Sequence, residues 1–362
     1  MHLYIHIPFC HRECPYCAFY KHTPGNTRLR AFVDALLMEA KLRLPADFTP
    51  TTIFMGGGTP SMLSPAIYER LAIGLHQQMD LSQVQEWTIE ANPATFDLEK
   101  AKLWKRYGAT RISMGVQSFD AKLLGILGRE HTPETAKQSV QILRAAGFEQ
   151  INIDLMFSLP TQSIEQWQDT LHQAIALDVE HISTYNLTLE EDTPFFQQFG
   201  ADATDEETDV AMFTMADELL TASGYRHYEI SNFARHGCRS IHNLACWQGK
   251  DYYGIGPSAC ATVDGQRIEN HGDTQAYISA LELGQLPPHT VEPLHEQERH
   301  AELIALALRT DEGLPPALIR PQDEGYLQSL VEEGLAQRGT DGSLILNLRG
   351  RLLADEIALG LI

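Results

Sequence analysis

The sequence has few basic residues and no long apolar run. It contains 27 Lys or Arg against 48 Asp or Glu, which gives a formal net charge of −21. Proteins held on nucleic acid or anionic membranes by bulk electrostatics need a basic surface, so this charge argues against both. No uncharged apolar stretch reaches the roughly 18 residues of a transmembrane helix, and the start MHLYIHIPFC lacks a secretory signal. We therefore expect a cytoplasmic protein with no transmembrane segment and no nucleic acid as a partner.

Cysteine is also scarce. The chain of 362 residues has 6 Cys, far fewer than a disulfide-stabilised scaffold carries. Three of them, Cys10, Cys14 and Cys17, fall in one short segment near the start. Such crowding in a chain otherwise poor in cysteine indicates a metal or redox site.

Hydrophobic residues make up 43% of the chain, enough to bury a full core. Short β-rich runs, the predicted strands, lie at 3–7, 51–55, 86–91, 110–116, 150–156, 181–188 and 226–230. Amphipathic stretches of helical length lie between them, at 27–44, 64–79, 97–107, 132–146, 164–177 and 205–223. This repetition is typical of parallel strands joined by crossover helices. We therefore predict an α/β fold with a partial or full (β/α) barrel.

The alternation lapses in a polar, Pro-containing stretch around residues 263–295. Helix, turn and strand signals after it predict a small α+β unit with the element order of a winged helix. A helical cap on the barrel is the simpler alternative. We therefore divide the chain into a core domain, 1–265, and a C-terminal domain, 266–362.

The three clustered cysteines follow the first predicted strand with the spacing C-x3-C-x2-C, in CHRECPYC at 10–17. Three thiolates can hold three irons of a 4Fe-4S cluster and leave the fourth iron open to an exchangeable ligand. A structural zinc ion would instead need a fourth ligand, from His6, His11 or His22. Because barrel active sites lie at the C-terminal ends of the strands, where this loop is expected, the cluster is the favoured interpretation.

Glycines and polar residues follow several later predicted strands. Gly56-Gly57-Gly58-Thr59-Pro60 comes after the second strand, and such a loop lets the backbone approach a ligand closely. Single polar residues stand near the ends of the next strands, namely Glu90, Gln117, Arg129 and Asp154. Any one of them alone is more simply explained as a partner of loop backbone groups. Together they predict a pocket for ribose hydroxyls and a carboxylate.

The cysteine spacing, with an aromatic residue before the last cysteine, resembles that of the radical S-adenosylmethionine (SAM) superfamily. In order and spacing, the motifs resemble its coproporphyrinogen III dehydrogenase-like branch over essentially the whole chain. The resemblance implies a 4Fe-4S cluster on Cys10, Cys14 and Cys17, with SAM bound to the open iron. It implies a SAM pocket formed by Tyr4, Tyr16, Gly57, Gly58, Thr59, Glu90, Gln117, Arg129 and Asp154.

That branch contains the dehydrogenase and heme chaperones. Three features of this sequence resemble those of the chaperones. The dehydrogenase has a further Cys two positions after the third cluster ligand, where this sequence has Phe19. The dehydrogenase also has an N-terminal extension, whereas the first cysteine here is residue 10. The segment IHNLACW at 241–247 is similar to the chaperones' HNxxYW heme-binding motif. This similarity implies that His242 is an axial ligand of heme.

One residue departs from that motif, because Cys246 stands where Tyr is usual. A thiolate can itself ligate heme iron, so the exchange can preserve heme binding or alter it. The alternative is that His242 and Trp247 are packing residues near the barrel mouth.

The resemblance thus implies a heme chaperone that carries the cluster and SAM, with an electron donor and an acceptor hemoprotein, membrane-associated or not, as partners. The alternative is an oxygen-independent coproporphyrinogen III dehydrogenase that decarboxylates porphyrinogen propionates, so enzymatic activity is left open. A third hypothesis, a radical SAM enzyme that modifies RNA, is disfavoured by the net charge of −21.

Overall fold

The computed structural model describes residues 1–200 and 205–362 and confirms the α/β fold. Six parallel strands lie side by side in chain order: β1 (His2–Ile7), β2 (Thr52–Gly57), β3 (Glu86–Ala91), β4 (Arg111–Gln117), β5 (Gln150–Phe157) and β6 (His181–Asn186). The helices that connect them are α1 (Leu29–Arg43), α2 (Pro65–Gln78), α3 (Leu98–Arg106), α4 (Ala121–Ile126), α5 (Pro133–Ala145) and α6 (Ile164–Ala176). The predicted strands and helices of this region are confirmed to within a few residues at each end.

Further strands extend the sheet on both sides. After α7 (Pro194–Phe199) and α8 (Glu206–Ala222), the chain adds β7 (Arg226–Glu229) and β8 (Asn232–Ala234) beyond β6. After α9 (Ile241–Trp247), it adds β9 (Tyr252–Ile255), β10 (Cys260–Val263), β11 (Gln266–Asn270) and, following α10 (Thr274–Glu282), β12 (His289–Pro293) beyond β1. Strand β9 is parallel to β1, whereas the other added strands pair antiparallel. Within the described residues β7 and β12 are edge strands, so the barrel is partial.

Alternation along the strands decides which side chains reach the inside of the barrel. On β1, the side chains of Leu3, Ile5 and Ile7 are fully buried in the main hydrophobic core, which also includes the helices. Successive side chains of a strand point to opposite faces, so the intervening positions face inward. Several inward positions line one interior cavity, namely Phe54, Thr88, Glu90, Ser113, Asn152, Asp154, Ser183 and Tyr185. Most of these residues are polar, which makes the inside of the barrel a place for a polar ligand.

The large sheet continues past residue 265, because β11 and β12 belong to it. The buried carboxylate of Glu39 on α1 joins this part to the barrel. It accepts hydrogen bonds from the Gly256 N–H at 2.8 Å, the Asn270 side-chain amide at 2.8 Å and the Tyr277 hydroxyl at 2.5 Å. Residues on both sides of the predicted boundary at 265 therefore share one carboxylate.

The C-terminal unit has a hydrophobic cluster of its own, which includes Ile304, Leu308, Leu327 and Leu344. Its elements are α11 (Glu296–Leu308), α12 (Glu324–Glu332), the hairpin of β13 (Ala336–Arg338) and β14 (Leu344–Leu346), α13 (Leu348–Leu352) and α14 (Ala354–Leu359). The winged-helix likeness and the boundary at 265/266 stay predictions. Across the described part of the chain, no helix combines the length and apolar character that crossing a membrane requires.

Candidate functional site

The three clustered cysteines lie in the loop that follows β1. The loop folds back on its own start, because the Cys10 N–H donates to the His22 carbonyl at 3.0 Å and the His22 N–H donates to the Pro8 carbonyl at 2.9 Å. All three thiols are free, and all three line the interior cavity, whose volume is about 510 Å³. The fold therefore brings the predicted cluster ligands to the C-terminal ends of the parallel strands.

The histidines near this loop form hydrogen bonds with other residues, which argues against their serving as the fourth ligand of a zinc ion. Their partners are the Tyr20 carbonyl for His6 at 3.0 Å, the Glu130 carboxylate for His11 at 2.8 Å and the Thr274 hydroxyl for His22 at 2.7 Å. Among the described residues, no three or more His, Cys, Asp or Glu side chains converge on a point where one ion could bind. A 4Fe-4S cluster does not need such convergence, because each cysteine binds a different iron.

Burial and nearby polar groups act in opposite directions on the thiols. Burial raises the pKa of the Cys10 thiol, and the Thr59 hydroxyl, 3.4 Å from its Sγ, acts in the opposite direction. The guanidinium of Arg129 donates from Nη1 to the Sγ of Cys14 at 3.7 Å. Hydrogen bonds and a fixed cation both favour thiolates, which are the ligands of iron–sulfur clusters. The donor set of this loop therefore fits a 4Fe-4S cluster.

The glycine-rich loop after β2 packs directly against the cysteine loop. Gly57 has φ of +101°, and a Cβ there would lie 2.4 Å from the His6 ring. A Cβ on Gly58 would lie 2.7 Å from the carbonyl oxygen of Ile7. The Gly57 N–H donates to the Glu90 carboxylate at 3.1 Å. Glycine is required at both positions because larger residues would push this segment away from the end of β1.

Asn92, which was not among the predicted site residues, connects the two loops. Its side-chain amide donates to the Thr59 hydroxyl at 3.0 Å, and its carbonyl oxygen accepts from Nη2 of Arg129 at 2.5 Å. The same Nη2 donates to the Gly115 carbonyl at 2.5 Å, so Arg129 is fixed beside Cys14. Asn92 directly follows β3, and its place at a strand end is the signal that could have identified it.

Two partly buried carboxylates, those of Glu90 and Asp154, face the cavity. Burial raises the pKa of Glu90 to about 8, with a further contribution from the negative charge of Asp154. Burial also raises the pKa of Asp154, while hydrogen bonds from the Asn152 amide at 2.8 Å and the Ser113 hydroxyl at 3.2 Å oppose the shift. Hydroxyls and amines are natural ligands for such carboxyl groups, because they can donate hydrogen bonds to the carboxylate oxygens.

The remaining predicted SAM residues separate into two groups. Tyr16 and Gln117 line the cavity, and Gln117 occupies a bulge of β4 with φ of +68°. Tyr4 is not one of the described residues that line the cavity. Its hydroxyl lies 3.0 Å from Nδ1 of His6, and its ring packs against Phe54, with ring centroids 6.2 Å apart. The structure therefore brings together the predicted SAM residues on the cavity wall except Tyr4, which lies beside Phe54 on the neighbouring strand.

The sequence itself is similar to proteins of known family. Residues 4–174 match the model of the Radical SAM superfamily. The chain is 39% identical over 346 residues to the heme chaperone HemW of Escherichia coli, with 91% of each chain covered. It is 33% identical over 368 residues to HemW of Bacillus subtilis, covering 98% of this chain and 97% of that protein. The chain belongs to the HemW family of radical SAM proteins.

A solved structure is consistent with this membership. Coproporphyrinogen III oxidase (HemN) from Escherichia coli, a radical SAM enzyme, is similar with a TM-score of 0.83 at 25% identity. The comparison covers 99% of this chain and 89% of that one. The predicted radical SAM fold and the predicted place in this branch are both confirmed. Membership of the superfamily implies a 4Fe-4S cluster and SAM.

The segment that resembles the heme-binding motif of the HemW family forms α9, at the opposite ends of the strands. His242 is only 5% exposed, and its Nδ1 lies 2.8 Å from the hydroxyl of Thr52, the first residue of β2. Its ring packs on Phe54, with centroids 5.1 Å apart, and burial lowers its pKa to about 3. Burial raises the pKa of Cys246 to about 11. The structure does not place His242 on the wall of the cluster cavity.

A buried ion pair, also outside the predicted site residues, holds the start of α9. Glu86 accepts hydrogen bonds from Nε of Arg111 at 3.0 Å, from the backbone N–H groups of Ile241 and His242 at 3.0 Å each, and from the Ser240 hydroxyl at 3.2 Å. Both members of the pair are almost fully buried. The candidate heme helix is therefore fixed to the barrel by one carboxylate.

Proposed function

We propose that this protein is a heme chaperone that carries a 4Fe-4S cluster and SAM and passes heme to an acceptor hemoprotein. The observation that carries the proposal is the similarity to HemW chaperones over nearly the whole of both chains. The similarity to HemN supports the dehydrogenase only as a related protein. We also propose the cytoplasm as its location, an electron donor as a further partner, and hemoproteins, membrane-associated or not, as acceptors.

The proposed cluster ligands are Cys10, Cys14 and Cys17. When bound, the cluster supplies one-electron reduction of the SAM sulfonium. Gly57, Gly58 and Thr59 would bind the amino acid part of SAM, since their backbone approaches the cysteine loop closely. The other proposed SAM residues are Tyr4, Tyr16, Glu90, Gln117, Arg129 and Asp154. Of these, Tyr4 does not line the cavity but packs beside Phe54, which does.

Phe19 favours the chaperone over the dehydrogenase. It stands at the position of the additional Cys in the dehydrogenase, and it lines the cavity with its ring 72% exposed. A benzyl side chain cannot take over the acid–base or redox chemistry of a thiol. A protein that binds and releases its ligand unchanged has no need of that chemistry.

His242 is the proposed axial ligand of heme. Because it is 5% exposed and bonded to Thr52, α9 would have to shift for the ring to reach iron. Its low pKa keeps the imidazole neutral at physiological pH, as iron ligation requires.

The proposal is tested by titrating heme into the anaerobically reconstituted chain while assaying coproporphyrinogen III with SAM and a reductant. We expect tight heme binding and no decarboxylated product. Formation of vinyl product would establish the dehydrogenase instead. If wild type binds no heme and cannot load an apo-hemoprotein, the chaperone proposal is wrong.

The role of His242 is tested separately with His242→Ala, against His236→Ala as the matched control, since His236 is exposed. We expect the first variant to lose the absorption bands of ligated heme and the second to keep them. Unchanged bands in both variants would remove His242 from the proposal without affecting the chaperone function.

A further inference from the structure

An exposed aromatic side chain lies at the mouth of the cluster cavity. Phe19 follows the last clustered cysteine by two residues and lines the same cavity as the thiols, yet it is 72% exposed. Its neighbour Ala18 lines the cavity too and is also exposed. Packing does not account for an aromatic ring in this position, because most of its surface remains in water.

Two cations lie on the same mouth without a carboxylate partner. Arg12 is exposed, lines the cavity and makes no ion pair with the described residues. The Lys21 ammonium, also on the lining, donates to the backbone carbonyls of Cys17 and Phe19. Glu190 is exposed on the lining as well, so the cations are partly offset. In a chain with a net charge of −21, two cations without carboxylate partners at one opening favour an anionic ligand.

The two other candidate binding regions are less accessible from solution. The deep walls of the cavity carry the groups assigned to the cluster and SAM, including Arg129 and Asp154. His242 is nearly buried and bonded to Thr52. A large planar ligand that arrives from solution therefore meets the mouth of the cavity first.

We propose that Arg12, Phe19 and Lys21 form a docking site for a porphyrin, which we term the cavity rim. Phe19 stacks on the macrocycle, and the two cations pair with its propionates. This inference rests on the proposed function, because it takes heme as the ligand. It differs from ligation by His242 in that it requires no iron.

Because docking at the cavity rim requires no iron, an iron-free porphyrin can be used to measure it. Iron-free protoporphyrin IX cannot be ligated by a histidine, so its affinity for the full-length, cluster-loaded chain reports binding without axial ligation. We expect Phe19→Ala to weaken its binding about threefold to tenfold, as the loss of an aromatic contact does, and Phe19→Trp to restore it. We expect the double variant Arg12→Ala, Lys21→Ala to weaken binding about fivefold or more and to reduce its dependence on salt.

Two controls separate docking from other effects. Leu359→Ala removes a side chain that is 74% exposed on α14, and it should leave porphyrin binding unchanged. Protoporphyrin dimethyl ester lacks the propionate charges, so its binding should respond to Phe19→Ala but not to the loss of the cations. Iron and sulfide content and thermal unfolding are measured for each variant. If Phe19→Ala loses the cluster, Phe19→Leu with an intact cluster replaces it.

The outcomes distinguish a failure of the docking site from a failure of the proposed function. If wild type binds neither hemin nor protoporphyrin IX, the proposed function and the docking site are both wrong. If wild type binds protoporphyrin IX and the variants of Arg12, Phe19 and Lys21 bind it equally well, the docking site is wrong and the chaperone function stands.

Discussion

The two ends of the barrel use similar residues for different purposes. At the C-terminal ends of the strands, thiols, carboxyls and Arg129 surround an open cavity of about 510 Å³. At the N-terminal ends, Glu86, Thr52 and His242 are buried and hydrogen-bonded to one another, to Arg111 or to α9. Arg111 also reaches the inner wall of the cavity. Most groups of the second set bond within the protein, whereas those of the first set face the open cavity. Changes at the C-terminal ends of the strands, the cavity end, should therefore impair cofactor binding. Changes at the N-terminal ends of the strands, the α9 end, should impair stability.

The largest expected effect is the loss of the cluster from Cys14→Ser. A serine hydroxyl is a poor substitute for a thiolate, so the reconstituted variant should lack the brown absorbance and contain little iron and sulfide. Cys238→Ser is the matched control, because Cys238 is also a partly exposed free thiol but does not line the cavity. A full cluster in Cys14→Ser would refute the ligand assignment.

At the other end, Arg111→Met should cost stability and leave the cluster intact. The substitution leaves the Glu86 carboxylate buried without its cation, which typically costs about 3–5 kcal/mol of unfolding free energy. The control is Arg70→Met, because Arg70 forms a half-exposed pair with Asp34, and its loss should cost about 1 kcal/mol or less. Urea unfolding measures both. Equal losses, or a cluster missing only from Arg111→Met, would contradict the distinction between the two ends.

The residues of the cavity end could be chosen from the sequence because their signals are local. The cysteine spacing and the glycine loop are contiguous, and alternation along β3 and β5 turns Glu90 and Asp154 to the same interior. The contacts at the α9 end could not be predicted from local sequence signals. The partners of Glu86 lie on β4 and at the start of α9, so they depend on the register of the sheet and on a distant turn.

The pH dependence of the unfolding free energy should show whether Glu90 is protonated in the folded protein. Its pKa is about 8 in the folded chain against an ordinary value of 4.5, so the folded protein keeps a proton that the unfolded chain releases. The associated stability is fully present below pH of about 4.5 and is lost as pH rises toward about 8, by at most about 1.4 kcal/mol per pH unit. Glu90→Gln should flatten the slope of unfolding free energy against pH in the cluster-free chain.

Glu99→Gln is the control for that measurement, because this carboxylate is 80% exposed and should leave the slope unchanged. A slope that is the same in wild type and in Glu90→Gln would show that Glu90 is not held in its protonated form.

The smallest expected effect on stability concerns Thr52, at the α9 end of the barrel. The Thr52 hydroxyl lies 2.9 Å from Nδ1 of His2 and 2.8 Å from Nδ1 of His242, so it can serve both rings at once, donating to one and accepting from the other. Thr52→Val keeps the shape but removes both bonds, which should cost about 1–2 kcal/mol of unfolding free energy. Thr52→Ser keeps the hydroxyl and should lose less. Because Thr52 is a whole strand length from the thiols, cluster content and SAM affinity should be unchanged in both variants. A cluster lost together with the hydroxyl would mean that the two ends of the barrel are coupled.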